Sequence, residues 1–104
     1  MNKKEKSKAK EEIKAFKKAV IGMDESVLQT TIEETASAIS GRGPAPEAMH
    51  RATVLLRLRR LNKATAASYR RLAMAAEDQV RKQTRHPLLA LAREAFKEAS
   101  KLLE

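Results

Sequence analysis

The chain has no cysteine and no tryptophan, and Phe16, Tyr69 and Phe96 are its only aromatic residues. Without thiols it can build neither a disulfide framework nor a thiolate metal site. With three rings in 104 residues it has almost nothing on which a run of single-stranded bases could stack. β-Branched residues are scarce, and no stretch alternates like a strand between turn signals, which excludes a sheet protein. No apolar run approaches the length of a transmembrane helix. Met1-Asn2-Lys3-Lys4 resembles the charged opening of a secretion signal, but Lys14, Lys17 and Lys18 interrupt the apolar run that should follow. A cytoplasmic location is the expectation.

What the chain has in quantity is alanine and leucine, eighteen and eleven residues, both strong helix formers. The length suits one domain. The expected fold is all-α, a small four- or five-helix bundle. Lysines dominate the start, where residues 1–8 are expected to be disordered; residues 9–104 then form a single helical domain. Ala9, Ile13, Phe16 and Val20 recur at helical spacing and place a first helix over 3–21. Gly22 suits its end and Asp24 the N-cap of a second helix, which buries Val27, Leu28, Ile32, Ala36 and Ile39. Residues 41–46 hold two glycines and two prolines, the one real linker, and Pro46 fits the first turn of the next helix.

Beyond the linker, Val54, Leu58 and Leu61, then Thr65, Tyr69 and Leu72, then Ala76, Val80 and Gln83 repeat steps of four, three and four. An eleven-residue repeat lies close to the natural winding of an α-helix, and it predicts one long central helix over about 46–84. The competing reading is a helix pair broken near Asn62, a good capping residue. A second apolar strip, Met49, Ala52, Leu56, Ala67 and Met74, lies roughly opposite the first. A segment apolar on two sides belongs at the centre of a bundle or at an oligomer interface, which suits a homodimer or a subunit of a larger complex. After Pro87 a last helix carries the stripe Leu89, Ala92, Phe96, Ala99 and Leu103, and its charged face sums to zero, as a scaffold helix would.

Nothing in the chain resembles catalytic machinery. There is no activated nucleophile beside a base and no phosphate-cradling glycine loop, so no enzyme activity is expected and no cofactor is called for. Glu47 and His50 have the Glu-x-x-His spacing of carboxylate-bridged metal sites, but a second copy and further carboxylates are missing, so no metal is expected. Residues 61–72 have the flavour of a helix-turn-helix in which Thr65, Ser68, Tyr69 and Arg70 would reach base edges. Against it, Lys63 stands at a normally apolar position and the eleven-residue repeat passes through Asn62 undisturbed.

The strongest signal is charge. Of the formal +9, residues 49–86 contribute +8: Arg51, Arg57, Arg59, Arg60, Lys63, Arg70, Arg71, Arg81, Lys82 and Arg85 face only Glu77 and Asp78. On a continuous helix His50, Thr53, Arg57, Arg60, Ala64 and Arg71 would share one arc. Guanidinium groups in a row suit a phosphate backbone, giving affinity without sequence reading. The expected function is therefore non-catalytic binding of nucleic acid, DNA or RNA, through these ten residues. The alternative is an adaptor or inhibitor whose basic face docks on an acidic protein surface. A membrane-surface role would need a bulkier apolar face than Ile13, Phe16 and Val20 provide. Acids of the second helix (Asp24, Glu25, Glu33 and Glu34) could pair with part of the cluster, but a surplus of four positive charges would remain.

Overall fold

The computed structural model describes residues 3–104, with side chains from residue 7 onward. Those residues form five helices and no strand: α1 (Lys3–Ile21), α2 (Glu25–Ile39), α3 (Pro46–Leu58), α4 (Ala66–Val80) and α5 (Pro87–Leu102). Of the start expected to be disordered, Met1 and Asn2 lie outside the described residues.

Local chemistry sets most boundaries. Asp24 stands in extended conformation and its carboxylate accepts from the Val27 amide at 2.9 Å, the N-cap of α2. Along α2 the hydroxyls of Thr30, Thr31, Thr35 and Ser40 each donate to the carbonyl four residues back. That bond lets these poor helix formers sit in a helix without an orphaned hydroxyl. Pro46 and Pro87 occupy the first turns of α3 and α5, where a missing N–H costs nothing. His86, which precedes Pro87, caps α5 by accepting from the Leu88 amide through Nδ1 at 3.1 Å.

The long helix over 46–84 does not form; the chain breaks near Asn62 into α3 and α4. Arg59 ends α3 in the left-handed conformation, φ 40°, and is the only non-glycine residue with positive φ among those described. Residues 59–65 then turn the chain back. Asn62 and Thr65 cap each other: the Thr65 amide donates to Asn62 Oδ1 and the Asn62 amide to Thr65 Oγ1, both at 3.0 Å. This is the reciprocal arrangement of a capping box, and it satisfies amides that a continuous helix would have used internally. The hydroxyl of Thr65 also donates to the Arg60 carbonyl at 2.8 Å. Thr65 thus kept its place in the apolar repeat because it is buried, not because the helix continues.

Reversal at each loop gives an up-and-down order. Partners between α2 and α4 advance together along both helices: Glu25 with Asn62, Glu33 with Arg71, Ile39 with Gln79. These two helices are therefore parallel, and α3 returns between them. α5 runs antiparallel to α4, with Arg70 over Phe96 and Glu77 on Arg93. α4 is the central element, packing on α5, α2 and α3. Its buried residues include Tyr69, Leu72, Ala73, Ala76 and Val80, which meet Leu28, Ile32, Leu55, Leu56, Leu88, Ala92 and Ala95 in one core. α1 lies at the side, packed mainly on α3 through Phe16 and the buried Val20. Val27, expected in the core, is 49% exposed, and Met74 and Leu103 are exposed as well. No described helix is long and apolar enough to cross a membrane.

Candidate nucleic-acid interface

The ten basic residues of 49–86 fall into two groups once the fold is in place. Six are engaged internally. Arg51 pairs with Glu47 at 2.7 Å and its guanidinium lies over the Phe16 ring, 5.4 Å from the centroid. Arg59 reaches Glu94 and Glu98 on α5 at 3.3 and 3.2 Å. Arg71 pairs with Glu33 on α2 at 3.0 Å, and Arg81 stands 3.9 Å from Asp78. Arg70 lies over the Phe96 ring at 5.1 Å. Exposed pairs of this kind add little stability, but each occupies a guanidinium that would otherwise be free for a ligand.

Arg60 is the most deeply committed. Its Nη1 donates to the Val20 carbonyl at 2.9 Å and the Met23 carbonyl at 2.6 Å, closing the C-terminal end of α1. The last carbonyls of a helix have no partner within it, and a charged donor there is favoured by the helix dipole as well. The Arg60 amide donates to the Tyr69 hydroxyl at 3.0 Å, and that hydroxyl donates to the Leu55 carbonyl at 3.1 Å. Burial pushes the Tyr69 phenol above its ordinary pKa of 10.0, against the opposing pull of the Arg60 hydrogen bond and charge. Arg60 and Tyr69 together therefore clamp the ends of α1 and α3 to the start of α4.

Arg57, Lys63, Lys82 and Arg85 are exposed and make no ion pair among the described residues. The single arc of His50, Arg57, Arg60 and Arg71 is not formed, because its upper half depended on an unbroken helix. Arg57 and Lys63 sit at the end of the bundle where α3 stops and α4 starts; Lys82 and Arg85 sit at the other end, between α4 and α5. Thr65, Ser68 and Tyr69 are buried, at 0%, 6% and 0% exposure, and cannot reach base edges. That removes the helix-turn-helix reading of 61–72.

Arg42 also stands exposed and without an ion pair, in the loop between α2 and α3. Sequence reasoning passed over it because residues 24–48 are acidic on balance. The signal that could have found it is local: Gly41-Arg42-Gly43-Pro44 must be a surface loop, and no acid lies within four residues of Arg42. An apolar groove of about 210 Å³ lies between α1 and α3, floored by Ala9, Ile13, Phe16 and Val54 and edged by Glu12, Glu47, His50 and Arg51. Glu47 is held by Arg51, and no three His, Asp or Glu side chains gather into a metal-binding group among the described residues. Compared with known proteins, the chain matches no family model, no curated sequence and no solved structure.

Proposed function

We propose that this protein binds nucleic acid through contacts to backbone phosphates, with little sequence selectivity and without catalysis, as a cytoplasmic protein or a subunit of a nucleoprotein complex. The observation that carries this reading is the remainder left after internal pairing. The fold occupies Arg51, Arg59, Arg60, Arg70, Arg71 and Arg81, and Arg42, Arg57, Lys63, Lys82 and Arg85 still project into solvent with no acid paired to them among the described residues. A net charge of +9 on 104 residues works against a compact state through self-repulsion, and a polyanion relieves it. The burial of Tyr69 and the covering of Phe16 and Phe96 by arginines leave no free ring for stacking, which favours phosphate contact over base contact.

The test is a salt titration of binding to random-sequence duplex. Phosphate contacts predict that log affinity falls linearly with log salt, with a slope of about −0.9 per contact. Absence of binding to both DNA and RNA at low salt would sink the proposal and leave an acidic protein surface as the partner to seek. Nucleic acid co-purifying with the protein, seen in the ratio of absorbance at nucleic-acid and protein wavelengths, would support it.

A further inference from the structure

Two loops close one end of the bundle: 40–45 between α2 and α3, and 81–86 between α4 and α5. Gln79 ties them together, its amide donating to the Ile39 carbonyl at 2.6 Å and the Gly41 carbonyl at 2.9 Å. Arg42 follows that anchor directly, and Arg81 and Lys82 follow Gln79 within one turn. The two loops hold Arg42, Arg81, Lys82 and Arg85 and not one carboxylate. Among the described residues only Arg81 has an acid near it, Asp78 at 3.9 Å, and both side chains are about two-thirds exposed. α1 adds to the same end. Its Ala9 and Glu12 lie beside Pro46 and Glu47, so the stretch that carries Lys8 and Lys10, along with Glu11 and Glu12, extends to that side.

The opposite end differs in kind. There Arg59 is held by Glu94 and Glu98, and Arg60 by the carbonyls of α1. Glu25, in the first turn of α2, accepts from the side-chain amide of Asn62, the residue before Lys63. Internal partners therefore hold Arg59 and Arg60 at that end, where Arg57 and Lys63 stay free, while the other end gathers Arg42, Lys82 and Arg85 on two loops without a carboxylate. Neither acid-free loop carries an aromatic side chain apart from His86, whose Nδ1 is taken by the α5 cap. Packed helices lie about 8–10 Å apart. Cations on adjacent loops can therefore reach separate phosphates of one duplex.

We infer that this end of the bundle, with Arg42, Lys82 and Arg85 as its principal contacts, is the surface that seats on the phosphate backbone of a nucleic-acid duplex. The inference rests on the proposed function and places it at one end of the fold. Its test compares R42A/K82A/R85A with K97A/K101A on α5, all exposed side chains without ion pairs among the described residues, each variant checked for native helicity. Affinity for a random-sequence DNA duplex, and for its RNA counterpart, is measured between about 50 and 200 mM salt. The triple variant is expected to flatten the log–log slope by about 2.7, at 0.9 per lost contact, and the double variant to leave it unchanged. If the double variant flattens the slope as much, or the triple variant leaves it intact while the wild type binds, docking through this end is overturned and phosphate binding stands. If the wild type binds neither duplex, both fail together.

Discussion

The guanidinium of Arg60 faces the open carbonyls of α1, and the Arg60 amide faces the hydroxyl of Tyr69. Replacing Arg60 by Met keeps the aliphatic stem and removes two charge-assisted hydrogen bonds. Urea unfolding should show a loss of about 2–3 kcal/mol, with the salt slope of duplex binding unchanged. A flattened slope would put Arg60 among the ligand contacts instead. Tyr69→Phe removes a donor and an acceptor from the core and should cost about 1–2 kcal/mol at neutral pH, because the Arg60 amide then has no partner. The phenol's pKa is raised on folding, so the folded state holds its proton longer than the unfolded chain does. Its contribution is full below pH 10.0 and is lost as pH rises through the raised folded value. The stability gap between wild type and Tyr69→Phe should therefore narrow above pH 10.0, as alkaline melts would show. At this scale the sequence was legible where a residue acts on its own neighbours, as with Asp24, Pro46 and Pro87. It was opaque for Arg60, whose partners lie 37 and 40 residues away.

Helices were legible as elements, and one boundary was not. The eleven-residue repeat through 54–83 reports only that apolar side chains recur at helical spacing. Two helices packed on the same core satisfy that condition as well as one long helix does. What decides for two is Asn62 with Thr65, whose side chains supply hydrogen bonds that an unbroken helix would supply from its backbone. The linker gives a sharper test of local geometry. Gly43 has φ +58°, whereas Gly41 is not held at positive φ, and a Cβ at either would meet open space. Gly43→Ala should cost about 1 kcal/mol through backbone strain alone. Gly41→Ala should be neutral or stabilise by up to about 1 kcal/mol, by restricting the unfolded chain. Equal effects in chemical denaturation would refute that assignment.

For the whole molecule, binding that relieves self-repulsion should appear as stability. Random duplex at about a hundredfold excess over its dissociation constant should raise unfolding free energy by about 2.7 kcal/mol. A melt should then shift upward by several degrees in low salt and not at all where salt has abolished binding. The sequence by itself determined an all-helical bundle, most of its core, its one Gly/Pro linker and its surplus of positive charge. These follow from composition and from periodicity, which act over a few residues. Only the tertiary structure decided which cations are spent inside the fold. Ion pairs such as Arg71 with Glu33 and Arg59 with Glu94 join side chains 38 and 35 residues apart. Their formation depends on helix direction, and direction depends on the reversal at Asn62. The ten-residue cluster legible in the sequence was thereby divided, with Arg42 added from outside it, because electrostatic partnership is set by distance in space and not by position along the chain.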